Sequence, residues 1–159
     1  MTDEIERKFL VEQLPPELEI DSEDEIAQGY LATGEDEVRL RRRGDRFLIT
    51  AKRGHGLVRD EVEAPLEREP FEELWPVTEG RRLEKTRLTT EVDGRTAEID
   101  VYRGPLAGLT TVEVEFEDTD AAKAFSPPAW FSRELTGDER YSNPRLATEG
   151  LPPGEPGEA

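Results

Sequence analysis

The chain contains no cysteine, which excludes disulfide staples and thiolate metal sites. It has a single histidine, His55, set between Gly54 and Gly56 at a predicted hairpin tip, where it reads as an exposed loop residue rather than a base or ligand. Ser126, Ser132 and Ser142 therefore lack a histidine to activate them, and neither a P-loop nor a nucleophile elbow occurs. No apolar run is long enough to span a bilayer. The N-terminus, MTDEIERKFLVEQ, is charged from its third residue and has no apolar signal core. These absences predict a cytoplasmic protein with no membrane partner. Lysine is scarce as well: Lys8, Lys52, Lys85 and Lys123 are the only ones, and the other cations are arginines. In such a chain a lysine marks a place where a compact, hydrated ammonium is needed.

The 159 residues suit one domain. Hydrophobic content is 34% and charged content 37%, lean for a core, but aromatics run along the whole chain, as a disordered sequence would not allow. The formal net charge of −17 argues against nucleic acid as a partner. The charge is uneven: between Arg39 and Arg103 acids and bases nearly balance, and the excess acid lies at both ends.

Period-two alternation in short segments dominates the pattern. It predicts strands at roughly 3–11, 26–33, 37–43, 46–52, 58–64, 83–91, 95–102 and 110–117, with hairpin turns at Gly44-Asp45, the Gly54-His55-Gly56 tip and Asp93-Gly94. Short connections imply antiparallel neighbours. Helices are predicted at about 67–75, with Pro70 in the first turn, and at about 119–126, capped by Thr119 or Asp120 and ended by Pro127. One domain over 1–149 is expected, followed by a disordered Pro/Gly/Glu-rich tail over 150–159.

Residues two apart in a strand share a face. Sorted in this way, Glu4, Glu6 and Lys8 lie together, as do Arg39 with Arg41, Lys52 with Thr50, Glu61 with Glu63, Lys85 with Arg87, Glu98 with Asp100, and Glu113 with Glu115. Apolar residues occupy the opposite faces. Taken singly, each charged face reads as a solvent face. Solvent faces mix charges and neutral polar residues, however, whereas these are blocks of one sign. Like charges at this spacing repel by ~2.4 kcal/mol at an effective dielectric of about 20, a cost that a surface gains nothing by repeating. The prediction is a mainly β, α+β fold. Eight antiparallel strands close into a tunnel barrel with a charged lumen, and helices pack on its apolar outside. Carboxylate oxygens suit Mg²⁺ or Mn²⁺, and Arg and Lys suit phosphate oxygens. Together they suit phosphoryl transfer. Arg42 falls on the other face, so Arg41-Arg42-Arg43 is not read as a nucleic-acid patch.

Glu4-Ile5-Glu6-Arg7-Lys8 resembles the ExExK signature of the CYTH superfamily, the triphosphate tunnel metalloenzymes. Arg39-x-Arg41, Lys52, Glu61-x-Glu63, Lys85-x-Arg87, Asp100 and Glu113-x-Glu115 follow in the family's order over about residues 1–149, and QGYL, EGRRLEKTR, VEVEF and DERYSNPRLA look like its short bacterial branch. The resemblance implies an eight-stranded tunnel open at both ends. In it Lys8, Arg39, Arg41, Lys52, Lys85 and Arg87 grip a triphosphate, and Glu4, Glu6, Glu113 and Glu115 hold metal. Glu61, Glu63 or Asp100 would engage a second ion or the attacking water. Many relatives have a C-terminal lysine reaching the terminal phosphate; here Arg140 or Arg133 is the nearest candidate. Lys52, Glu63 and Lys85 are the expected catalytic residues. Tyr30 reads either as a residue of the tunnel mouth or as a packed strand tyrosine.

The function so implied is Mg²⁺- or Mn²⁺-dependent hydrolysis of a small-molecule triphosphate, inorganic tripolyphosphate first, in a chain whose sequence allows a homodimer. The alternatives are a class IV type adenylate cyclase, a nucleoside or thiamine triphosphatase, and a non-catalytic polyphosphate or nucleotide sensor. A sensor could dispense with some acids, and all the acid pairs are present.

Overall fold

The computed structural model describes residues 2–54 and 58–153. Eight strands form a closed antiparallel barrel in the order β1-β5-β4-β3-β2-β6-β7-β8. They are β1 (Thr2–Leu10), β2 (Ser22–Ala32), β3 (Asp36–Arg43), β4 (Arg46–Arg53), β5 (Val58–Leu66), β6 (Arg82–Val92), β7 (Arg95–Tyr102) and β8 (Thr110–Glu115). The expected fold class is the observed one. β2 starts four residues before the predicted position, because Ser22–Glu25 pair with Thr86–Thr89 of β6 although they carry no apolar alternation. Asp93 and Gly94 both adopt positive φ at the β6–β7 hairpin, as an Asp-Gly turn requires. The 55–57 tip, His55 with it, lies outside the described residues, and so does 154–159 of the expected tail. Leu151 of that tail packs against a core cluster.

The helices coat the outside. α1 (Arg68–Leu74) runs into a 3₁₀ turn, Trp75–Thr78, and packs Phe71 at a tilt against Phe47 of β4 with ring centres 4.6 Å apart. α2 (Thr119–Ala124) is capped by Asp118, whose carboxylate accepts from the Ala121 N–H, one residue before the predicted cap. The main apolar core lies between barrel and coat. It joins Phe9, Ala97, Ile99, Val112 and Val114 to Phe116, Ala122, Phe125 and Phe131. The coat is incomplete over β5, where Val62 is exposed. The neighbouring Ala51 and Ala64 are small, so little apolar area is left in water.

Gly29 fixes where the 3₁₀ turn docks. Built there, a Cβ would stand 2.4 Å from Thr78 Oγ1. Thr78 is fully buried and held by Trp75 O at 2.7 Å and by Arg82 Nε at 2.9 Å.

A third helix, α3 (Asn143–Glu149), escaped the periodicity argument. Its Ser142 cap and Pro144 in the first turn are ordinary start signals. It caps one end of the barrel, where Leu10, Leu83 and Tyr102 cluster with Leu106, Leu135, Tyr141 and Leu146. The lumen wall is therefore apolar beneath this segment, which also lines part of the main cavity. Among the described residues no helix is long and apolar enough to cross a membrane.

Candidate active site

The alternation places the single-sign pairs on the inner wall. Across β6, β7 and β8, Arg87 faces Asp100 and Asp100 faces Thr111. Glu98 faces Glu113, which faces Lys8 of β1. Across β3, β4 and β5, Glu37 faces Lys52 and Lys52 faces Glu61. Arg39 and Arg41 sit beside Tyr30 and Gln28 of β2. All of them line one lumen because the barrel is closed. A cavity of about 540 Å³ opens from this wall towards the C-terminal segment; Glu6, Lys8, Arg39, Lys52 and Glu113 line it, with Glu37 and Arg59.

Deepest in the lumen is a cation–carboxylate triad. Asp100, 2% exposed, accepts from Lys85 Nζ at 2.6 Å and from Arg87 Nε and Nη2 at 2.8 and 3.0 Å. Burial alone would raise the Asp100 carboxyl, but Arg87 and Lys85 hold it far below the usual carboxylate range. Burial lowers Lys85 well below an ordinary lysine, with Asp100 opposing. Asp100 is thus engaged as a counter-ion by both cations. Arg39 lies 3.9 Å from both Glu37 and Glu61. Lys52 lies 3.4 Å from Glu4 and 3.7 Å from Glu61. Lys8 donates to the Tyr141 carbonyl at 2.7 Å, which ties the C-terminal segment to the lumen.

The acids form a different environment. Glu4 is pushed up to about 7, chiefly by burial and then by its hydrogen bond with Glu61. Glu6 is raised well above the carboxylate range by burial and by Glu113. Glu113 is held low despite its burial because Lys8, and then Glu6 and Arg87, favour its charge. Burial and then Glu4, Glu98 and Glu113 raise Glu115. A divalent cation bound between such carboxyls would favour their charged forms and displace their protons. Glu4 Oε1 is buried and makes no hydrogen bond among the described residues; its neighbour is the Lys52 ammonium at 3.4 Å, so it is a hard oxygen donor whose charge a cation and Lys52 would share. The residues fit such an ion as carboxylate pairs; no cluster of three or more acids closes into a metal cage among the described residues.

Two predicted residues are exposed rather than enclosed. Glu63 accepts from the Thr50 hydroxyl at 3.1 Å, and Glu115 lies at the outer end of β8. Neither lines the 540 Å³ cavity. Arg140 is half exposed, pairs with Asp138 at 2.7 Å and is not among the cavity-lining residues; Arg133 donates to the Tyr141 hydroxyl. Tyr30 is fully buried inside the barrel and does not reach a mouth. Sequence reasoning missed Glu37 and Arg59, which face the cavity and bond each other at 3.1 Å, and Gln28, which holds Arg41. The search for like-charge pairs passes over all three: the predicted strand begins at Glu37 and so omits Glu35, the charged residue two along from Arg59 is the acid Glu61, and Gln28 is neutral.

The family model described as CYTH domain matches residues 2–136. The inorganic triphosphatase of Nitrosomonas europaea is 49% identical over 147 residues, covering 91% of this chain and 96% of that protein. The inorganic triphosphatase of Acetivibrio thermocellus is 34% identical over 156 residues, covering 92% and 94%. The crystal structure of the inorganic triphosphatase NE1496 superposes with a TM-score of 0.72 at 44% identity, covering 96% of this chain and 99% of that one. A Bacillus halodurans structure described as a putative adenylate cyclase shares the fold alone, at 16% identity and a TM-score of 0.56 over 77% and 86% of the two chains.

Proposed function

The chain belongs to the CYTH domain family, and from that premise we propose that it is a metal-dependent triphosphatase that cleaves a terminal phosphoanhydride bond of inorganic tripolyphosphate in the barrel lumen. The observation that carries this reading is the juxtaposition in one lumen of the carboxyls Glu4, Glu6, Glu61 and Glu113 and the cations Lys8, Arg39 and Lys52. A binding protein for polyphosphate needs the cations but has no use for the acids.

In this reading Lys8, Arg39 and Lys52 take phosphate oxygens at the cavity wall. Arg41, Lys85 and Arg87 take those that reach deeper. Arg forks fix orientation and the lysines supply point charge. Asp100 positions Lys85 and Arg87 rather than binding metal. Glu4, Glu6, Glu113 and Glu115 would hold Mg²⁺ or Mn²⁺, with Glu61 beside them. When bound, the ion neutralises phosphate charge and acidifies water. Glu63, at the exposed rim beside the buried Thr50, accepts a proton from water as that water's oxygen attacks, in line, a terminal phosphorus brought to this rim. The bond to the bridging oxygen breaks, and Lys85 with Lys52 stabilises the negative charge left on the departing pyrophosphate.

Orthophosphate release from tripolyphosphate, ATP and thiamine triphosphate, each with Mg²⁺ or Mn²⁺, tests the proposal. Release from tripolyphosphate is expected with metal, none in EDTA, and little from Lys52→Ala or Glu4→Ala. Full activity in EDTA rejects it. Cyclic AMP formed from ATP without orthophosphate would favour a cyclase, and tight tripolyphosphate binding without release a sensor.

A further inference from the structure

Gln28 is fully buried on the lumen face of β2, directly across from Arg41 of β3. Arg41 donates to its single Oε1 twice, from Nε at 3.1 Å and from Nη2 at 2.8 Å. The Gln28 amide nitrogen donates in turn to the Tyr30 hydroxyl at 2.7 Å. Arginine has only donors, so the amide cannot be turned round: its oxygen must face Arg41. Four cations are buried in the lumen: Arg39, Arg41, Lys85 and Arg87. Lys85 and Arg87 share Asp100, and Arg39 lies against Glu37 and Glu61. Among the described residues Arg41 alone of the four is held by a neutral acceptor.

We propose that Gln28 is a positioning residue that presents Arg41 to an oligophosphate with its positive charge uncompensated. A carboxylate at this position would hold the guanidinium equally well but would compete with phosphate for the same donors and cancel its charge. An apolar side chain would leave the charge intact but the fork unoriented, and a buried N–H without an acceptor. The amide does neither. It takes two donors on one edge of the fork and leaves the other edge for phosphate oxygens. Arg39 and the Lys85–Arg87 pair are already partly neutralised, so Arg41 is the strongest attractor for the most highly charged part of the bound chain. The inference rests on the proposed binding of a phosphate chain in the lumen and names the residue that sets its tightest contact.

A double-mutant cycle tests it on the full chain. Calorimetry in EDTA measures tripolyphosphate affinity for the unaltered protein, Gln28→Met, Arg41→Met and the double variant. Gln28→Met is expected to weaken binding about tenfold, the loss of one charge-assisted hydrogen-bonding unit. In the Arg41→Met background the same change should alter affinity by less than about twofold. Equal losses in both backgrounds overturn the proposal. Gln28→Glu, which retains the hydrogen-bonding shape, is a second reading should Gln28→Met fold poorly. With metal present it should raise KM by more than about tenfold with kcat within about threefold, because grip on the chain is shared by ground and transition states. An unchanged KM for Gln28→Glu overturns the proposal as well. If the unaltered protein neither binds nor hydrolyses tripolyphosphate, the function itself fails. If it does both while the cycle is additive, only the role of Gln28 fails.

Discussion

Asp100→Asn separates a positioning role for this carboxylate from the metal-binding role its place in the sequence suggested. Asp100 is 2% exposed and accepts three hydrogen bonds from Lys85 and Arg87. The substitution retains the shape and removes the charge, leaving two buried cations facing an amide that can accept only on one side. Removing one partner of a buried ion pair costs about 3–5 kcal/mol. At about 2–4 °C per kcal/mol for a domain of this size, Tm should fall by about 6–20 °C in chelator. Burial already lowers Lys85, and Asp100 is the chief influence holding its proton. Without it Lys85 holds its proton less firmly, so tripolyphosphate binding in chelator should weaken and recover partly as pH is lowered. Saturating tripolyphosphate should restore part of the lost Tm, because phosphate oxygens then supply the missing negative charge. A Tm within about 2 °C of the unaltered protein, unchanged affinity in chelator and a raised metal requirement would refute this argument and return Asp100 to the metal.

Glu4 is pushed up to about 7 from an ordinary 4.5, first by burial and then by Glu61, and Glu6 is raised too. The folded metal-free protein therefore binds more protons than the unfolded chain between about pH 4.5 and 7, and its stability should fall as pH rises through that window. Melts in EDTA across it should show that slope, Mn²⁺ should flatten it, and metal binding should release protons measurable by calorimetry in two buffers. Gly29→Ala drives a Cβ to within 2.4 Å of a buried, doubly bonded Thr78, so a loss of about 1–3 kcal/mol is expected; an unchanged melt would mean the 3₁₀ turn yields freely. Arg7 points outward, forks onto Glu134 at 2.8 Å and donates to the carbonyls of Ala122 and Phe125. Arg7→Ala should cost about 1–3 kcal/mol and leave KM within about twofold. A large change in KM would place Arg7 in the lumen machinery.

Most of the barrel could be read from alternation because its charged faces are blocks of one sign, and a slip of one residue would bury them in the coat. Partner choice was legible only within hairpins: the two-residue Asp93-Gly94 turn already sets Arg87 opposite Asp100. Pairings across the closure, Lys8 with Glu113 and Glu4 with Arg59, depend on β8 and β5 joining β1, which no local pattern encodes. Asp100 reads as one more carboxylate for metal when charges are sorted by face and not paired across the hairpin. Gln28 lay unnoticed inside QGYL because a neutral side chain leaves no trace in a charge pattern. Asp118, Thr119 and Asp120 are equivalent as helix caps until the direction of the chain leaving β8 is known. The Ser142-Asn143-Pro144 start of α3 was available, but a helix of seven residues has too few turns for periodicity to register.

The repulsion that made the single-sign faces look functional is relieved unevenly, and the unevenness is informative. Along each strand like charges sit two residues apart, at ~2.4 kcal/mol per pair for an effective dielectric of about 20. Across strands the closed register sets Lys8 against Glu113, Arg59 against Glu4, Lys52 against Glu37 and Glu61, and Arg87 against Asp100. The basic strands are therefore largely compensated by the protein itself, with Arg41 left over. The acidic wall is not: Glu6 faces Glu115 and Glu98 faces Glu113, like against like. Protonation relieves that wall only in part, and in the neutral range at the expense of raised carboxyls. Both residues of charge are thus the protein's own, a surplus of negative charge along β1, β7 and β8 and a surplus of positive charge at Arg41. One asks for a cation and the other for an anion within the same lumen, which is the charge pattern of a metal–polyphosphate complex rather than of either ion alone.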